Sequence, residues 1–398
     1  MDVPLASRLS TAQFALSSVS AFATAAGIRH PLDPERIAIA YQSDRVFAVD
    51  GAVPEVWSAY SRFWECADGW MRTHGNYPHH ARRLIDALGV GEDPADIERM
   101  LRETTTDDAV ARITSTRGLA VAVSPEDEQL DAALRSSPLV TITRHDSEGA
   151  PHRTDAGFDG VRVLDLTRVI AGPVCTRSLA LLGADVLRID PPHLPEPEYQ
   201  HFDTGHGKRS ALLDAHSPVI HDLLDRADVV VVGYRPAALT RLGLAPEQII
   251  ERHPGLIVAQ LSAWGVDEPD RAGFDSLVQA ESGIALAESP DGVRPGALPA
   301  QALDHSAGYL LAAAVLDLLG RRGAEGGSWI ARTSLRRMAA ELLGLPRRDA
   351  PAPLDPFDPA AHAATFDVAG HKVTTARPAV PGVEFRAPRP WGGDQPRW

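Results

Sequence analysis

The sequence predicts an α/β protein: a Rossmann-like open parallel sheet domain joined to a smaller, helix-rich α+β domain. Three observations carry this. Between about 157 and 345, short β-rich runs alternate with helical patterns. Those runs are apolar almost throughout, as in Val229-Val230-Val231-Val232, which suits strands covered on both faces. The first 155 residues read instead mainly as helix, with single short strand signals.

Taken in order, the chain opens on an apolar stretch at 12–28 that follows Arg8 and contains Ala23-Thr24-Ala25. That is the outline of a secretory leader, but Ser10, Thr11, Gln13, Ser17, Ser18 and Ser20 interrupt it, so an amphipathic first helix is predicted. Helices are expected over 54–65, 80–88 and 94–104, and a strand at 139–142. Next come a strand at 161–166, a helix at 174–182 closed by Gly183, and a strand at 185–189. A helix at 218–226, a strand at 229–232, helices near 237–242 and 246–252, and a strand at 256–261 follow. Strands separated by helices imply parallel pairing through right-handed crossovers. Helices at 276–287 and 305–319 lead to a glycine-rich connection at 320–327, a β-like run at 329–334 and a last helix. Five prolines in 346–360 mark an extended linker. The expected division is 1–155, 156–345 and 346–398, the last a proline-rich linker and a tail that wraps back.

Composition narrows the function. The 398 residues are 44% hydrophobic and 23% charged, with a formal charge of −14. An acidic chain is a poor nucleic-acid binder, because phosphate backbones are bound by clustered Lys and Arg. Two distant cysteines, Cys66 and Cys175, provide neither a disulfide framework nor a zinc pattern. They suit a reducing cytoplasm. No run reaches the ~18 consecutive apolar residues of a membrane span, so no membrane partner is expected.

An open parallel sheet binds ligands at the carboxyl ends of its strands. The loops there read Thr167-Arg168-Val169-Ile170-Ala171-Gly172-Pro173, Asp190-Pro191-Pro192, Gly233-Tyr234-Arg235-Pro236 and Ser262-Ala263-Trp264-Gly265. Arginines, aromatic rings and glycines in such loops could hold phosphates and stack a purine, or could simply punctuate the chain. No Gly-x-Gly-x-x-Gly follows the first strand of this section. Gly205-His206-Gly207-Lys208-Arg209-Ser210 departs from a P-loop at Arg209 and at Phe202. His74, His79 and His80 lack an acidic or cysteine partner at metal-site spacing, so no metal is expected and a hydrogen-bonded surface or interface loop is. Asp304-His305-Ser306 has hydrolase residue types, but neighbours at a helix start diverge, and no Gly-x-Ser-x-Gly elbow is present. Asp304 directly precedes a helical run and could be an N-cap. A carboxylate there also feels the positive end of the helix, so it is expected to stay ionised and to serve as a nucleophile.

The section from Gly160 to Leu345 resembles the class III CoA-transferases, which include the formyl-CoA:oxalate and carnitine–crotonobetaine enzymes. The shared residues run from Val163-Leu164-Asp165-Leu166-Thr167-Arg168 to Gly172-Pro173, then Leu182-Gly183-Ala184-Asp185-Val186 and Gly207-Lys208-Arg209-Ser210. They continue with Gly233-Tyr234-Arg235-Pro236, Arg241-Leu242-Gly243, Phe274-Asp275, Gln279-Ala280 and Ser282-Gly283. Asp304 closes the series, with Gly308 four residues on. The resemblance implies CoA transfer between an acyl-CoA and a carboxylate, through an acyl anhydride and then a CoA thioester on Asp304. It implies CoA contacts at Arg168, Ile170, Ala171, Leu213, Gly233, Tyr234, Arg235, Arg241 and Ser262. CoA is then a substrate and no cofactor is permanently bound. It also implies a homodimer, of an interlocked kind.

The sequence departs from the family in domain order, since the segment resembling the small domain (Phe63 to His80 and beyond) precedes the α/β section. Pro192 stands where some members carry a CoA-site Arg, and a glycine-rich flap is not evident. A racemase branch uses a His before an Asp at a helix start; here that position is Phe274, before Asp275. Two alternatives stay open: a 2-methylacyl-CoA racemase or epimerase, and a non-catalytic CoA-binding subunit.

Overall fold

The structure is a computed structural model that describes residues 2–146 and 158–398. Its strands form three sheets. In chain order they are β1 (Ala48–Val49), β2 (Phe63–Glu65), β3 (Trp70–Thr73), β4 (Ala120–Ala122), β5 (Thr141–His145), β6 (Arg162–Leu166) and β7 (Asp185–Asp190). Then come β8 (Arg209–Leu212), β9 (Val229–Val232), β10 (Ile257–Ser262), β11 (Ser328–Ser334), β12 (Ala363–Val368) and β13 (His371–Ala376).

The large sheet has the order β5-β11-β10-β9-β6-β7-β8. Six of its strands, β6 to β11, are parallel, and β5 pairs antiparallel on the outer edge of β11, with Thr141 opposite Arg332. Counted from β6, the parallel strands have the doubly wound order 3-2-1-4-5-6. The strand order reverses between β6 and β9, where Leu166 pairs with Val232. The valine run shows why both faces are covered. Val229 and Val231 enter the core on one face, Val230 and Val232 the core on the other, and all four are fully buried.

On the first face lies the long helix Ala302–Glu325, which packs against the helices Thr11–Ala25 and Ala171–Leu181. By length and composition it could cross a membrane, yet 72% of its apolar window is buried inside the chain, as befits a core helix. The first section of the sequence thus contributes in three ways. Thr11–Ala25 covers the long helix, residues 63–122 build a separate small core around Trp64, Met71, Leu84, Ile97, Leu101 and Ile113, and β5 extends the large sheet. The expected boundary at 155/156 lies outside the described residues.

Four differences from the sequence expectations have physical reasons. Residues 54–65 are not helical; Phe63–Glu65 is a strand paired with β3, and Trp64 is buried with its indole N–H on Thr73 Oγ1 at 2.7 Å. The helix expected at 276–287 is two pieces, Asp275–Glu281 and Ile284–Ala287. Gly283 breaks it at φ +96°, where a Cβ would strike Glu126. The long helix continues through Gly320 and Gly323 to Glu325, because buried Leu318 and Arg322 hold it to the core against the ~1 kcal/mol that each interior glycine costs. Strand β8 is a further addition. Its start looks polar, but Arg209 pairs with Asp185, and neighbouring Lys208 reaches Asp165 at 3.0 Å inside the core. The tail covers the edge of β8: Gly392 N–H donates to Ser210 Oγ, and Trp398 Nε1 donates to the Leu223 carbonyl.

Candidate active site

The long helix begins at Ala302, with Gln301 as its cap residue, so Asp304 lies in the first turn and is not the N-cap. The capping role falls to Asp275. Its Oδ2 accepts the Asp304 backbone N–H at 2.9 Å, while its Oδ1 accepts from Gln279 Nε2 at 2.5 Å. Gln279 is fixed in turn by accepting the Leu298 N–H at 2.9 Å. Asp275 is completely buried and Asp304 nearly so.

Two carboxyls buried side by side cannot both ionise easily. Burial, and then the charge of Asp275, hold Asp304 well above the usual carboxylate range. Burial likewise raises Asp275, to about 6, although Gln279 and the helix N–H groups moderate it. The expectation that Asp304 simply stays ionised is therefore corrected: desolvation outweighs the helix dipole here. The neighbouring residues turn away from it. Ser306 Oγ bonds the Tyr41 hydroxyl at 3.0 Å, and His305 stacks on Tyr41, so Asp304-His305-Ser306 is no triad.

Asp304 opens on two cavities, one of about 390 Å³ and one of about 280 Å³. The second sits over the ends of β6, β9 and β10. Arg168, Ala171, Gly233, Tyr234, Arg235 and Ser262 all line it. Through Tyr234 it meets a third, more apolar hollow of about 230 Å³ that contains Leu213. Ile170 faces the first cavity instead. The switch lies in Val169, a β-branched residue held at φ +71°, which lines both. Such a conformation costs of order 1–3 kcal/mol and is kept only where the surroundings enforce it. Arg241 is the exception among the expected CoA contacts. It is exposed, pairs with Asp270 at 3.0 Å, and lines none of these three cavities.

The charges around the second cavity are unequal. Arg168 is tied to buried Glu196 at 3.0 Å, and Arg188 reaches the same carboxylate at 2.7 Å. The Tyr77 hydroxyl donates to Glu196 at 2.6 Å. Arg235 donates to the Asp270 carbonyl and has no carboxylate partner among the described residues. It is the freer cation for a phosphate. His79 and His80, expected in a surface or interface loop, instead lie at the start of the helix Pro78–Leu88 and line this cavity, and burial lowers both, His80 to about 3. Among the described residues no group of three His, Cys, Asp or Glu is placed to hold a metal ion.

Residues 158–346 match the model of CoA-transferase family III. The segment over those residues is similar to that family, and it makes up just under half of the chain. Relatives include the probable fatty acyl-CoA transferase Rv3272 of Mycobacterium tuberculosis, 34% identical over 205 residues, covering 46% of this chain and 52% of that one. The formyl-CoA:oxalate CoA-transferase of Rhodopseudomonas palustris is 34% identical over 186 residues, covering 42% and 43%. A crystal structure of Rv3272 superposes with a TM-score of 0.43 at 32% identity, over 46% of this chain and 56% of that one. The chain spans about half the length of these relatives.

The family III segment supplies only part of the first cavity. The rest comes from residues before it: Tyr41, Trp57, Phe63 and Arg72, which sequence reasoning did not select as site residues, and His74, which it considered only for a metal. His74, expected in a surface or interface loop, is buried, stacked on Phe274 with ring centres 3.8 Å apart, and kept neutral by burial. The available signal was the cluster of aromatic and histidine residues at 63–80; nothing local showed that it faces Asp304. Asp275 was noted only as the neighbour of Phe274, and its capping role needed the fold to be seen.

Proposed function

We propose that this chain transfers CoA between an acyl-CoA and a carboxylate acceptor, with Asp304 as the nucleophile. One observation carries this reading: Asp304 is the buried carboxylate at which a cavity over the strand ends meets a separate, aromatic-walled cavity. CoA would enter over Tyr234 and Arg235, with its adenine end toward Leu213, and its acyl group would pass Asp304 into the first cavity. The Asp304 carboxylate attacks the thioester carbonyl, the C–S bond breaks, and CoA leaves as thiolate. The thiolate then attacks the Asp304 carbonyl of the resulting anhydride and releases the acyl carboxylate, leaving an aspartyl-CoA thioester. The acceptor carboxylate reverses both steps.

The reading extends to Arg168, Ile170, Ala171, Leu213, Gly233, Tyr234, Arg235 and Ser262 as CoA contacts, to a cytoplasmic homodimer, and to CoA as substrate with no resident cofactor. Arg241 becomes the weakest member of the set. The direct test is exchange of labelled carboxylate into acyl-CoA. Asp304→Ala is expected to lower the rate at least about a thousandfold, as loss of a covalent nucleophile does. A variant as fast as wild type would refute the reading.

A second reading is favoured by His74. Phe274 removes the racemase histidine in sequence, but His74 lies against that ring and opens on the same cavity as Asp304. A neutral imidazole and a carboxyl could exchange a proton at an α-carbon. Deuterium wash-in from D2O into a 2-methylacyl-CoA, without acceptor and lost in His74→Ala, would select this reading.

A further inference from the structure

The first cavity contains a cation with no charged or hydrogen-bonding partner among the described residues. Arg72 leaves strand β3 with Phe63 and Trp57 stacked against its guanidinium, 4.7 and 5.4 Å from the ring centres. Rings on the faces of a guanidinium leave its in-plane N–H donors free. Its Nε is buried and bonds nothing, and Arg72 makes no ion pair or hydrogen bond among the described residues. Burial alone acts on it, lowering it to about 10, so it remains a cation at neutral pH.

Asp44, Arg45 and Asp203 also line this cavity, but none of them pairs with Arg72. Asp203 takes a hydrogen bond from Ser43 and lies beside Arg177, and Arg45 donates to the Pro299 carbonyl. A cation withdrawn from water without a counter-ion is costly, and the fork of an arginine is shaped for a carboxylate. No anion among the described residues completes it, and the cavity leaves that place open to a ligand. Phosphates of CoA are unsuited, since the strand-end loops that suit them lie on the far side of Asp304, over the second cavity.

We infer that Arg72 binds a second, non-reacting carboxylate, so that the preferred substrates are short dicarboxylic acids and their mono-CoA thioesters. This rests on the transfer reading: one carboxyl reacts at Asp304 while the other is held by Arg72, beside Phe63 and Trp57. At about 390 Å³ the cavity lies toward the small end of ligand pockets, roughly 300–1,000 Å³, which suits a short chain. Arg72 is then a specificity-determining residue rather than a participant in bond making.

The test compares acceptors matched in length, butyrate with succinate and pentanoate with glutarate, using acetyl-CoA and succinyl-CoA as donors. Wild type should favour the dicarboxylate in kcat/KM by at least about tenfold, and Arg72→Gln should reduce that ratio by at least about tenfold. Arg72→Lys, which keeps the charge but not the fork, should fall between. A ratio near one in wild type, or one unchanged in Arg72→Gln, would overturn the inference. Calorimetric titration of succinate and glutarate into the CoA-saturated full-length protein provides an arm without turnover, with CoA affinity checking that each variant is folded. If wild type transfers nothing, the transfer reading fails and this arm decides alone. Dicarboxylate binding lost in Arg72→Gln upholds the role of Arg72, and no binding to wild type overturns it.

Discussion

Asp304 and Asp275 set the behaviour of the site at the scale of single residues. As the proposed nucleophile, Asp304 would attack only when ionised, and burial with Asp275 beside it raises the pH at which it ionises. The acid limb of the kcat/KM profile should therefore lie above the ordinary Asp value of ~3.9. Asp275→Asn removes one of the two causes and leaves burial, so the limb should move to lower pH without reaching that value. A limb that stays in place would show that Asp275 does not act through charge. Stability has the opposite sign. Both carboxyls bind protons more tightly folded than unfolded, so their favourable contribution is complete below the unfolded value and is lost as pH rises through the folded one. Asp304→Asn should consequently raise Tm at pH 7–8, and raise it less at pH 5. Sequence showed Asp304 as a carboxylate near a helix start. It could not show its ionisation, because Asp275 approaches it through the turn of a different helix.

Between elements, the decisive contact is the crossing of the long helix over Ala171–Leu181. Gly308 allows it: a Cβ there would lie 2.6 Å from the Ala171 carbonyl oxygen and 2.7 Å from Val174 Cβ. A backbone carbonyl cannot yield as a flexible side chain can. Gly308→Ala should cost about 1–3 kcal/mol in chemical denaturation, and should lower kcat, because it presses Asp304's helix away from the loop that lines both cavities. Full activity and stability in this variant would mean that the crossing adjusts freely. Elements with local apolar runs, such as β9 and β10, were legible in sequence. Strand β8 was not, because the partners of Lys208 and Arg209 come from β6 and β7. The break at Gly283 depends on Glu126, far away in the chain.

For the whole molecule, the chain order stands out. Residues 158–346 match family III, yet nearly half of the first cavity's lining comes from residues 41–77. On the proposed reading, contacts to CoA and contacts to the acyl group are separable. Trp57→Ala and Phe63→Ala should raise KM for acyl-CoA and acceptor by about tenfold, the cost of a lost apolar wall of roughly 1.5 kcal/mol, while affinity for free CoA changes little. Equal losses in both would place the CoA thiol end deeper in the first cavity. The doubly wound sheet was legible from alternation alone. The joining of the two halves around one carboxylate was not, since contacts spanning some two hundred residues leave no local pattern.

Intact-protein mass spectrometry after incubation with a panel of acyl-CoA thioesters, quenched in acid, tests the central claim most directly. The account predicts an added mass equal to an acyl group, or to CoA less water, that maps to the peptide containing Asp304, disappears with hydroxylamine, and is absent in Asp304→Ala. An adduct on another residue, or turnover of acyl-CoA and acceptor with no covalent enzyme species at any quench time, would contradict it.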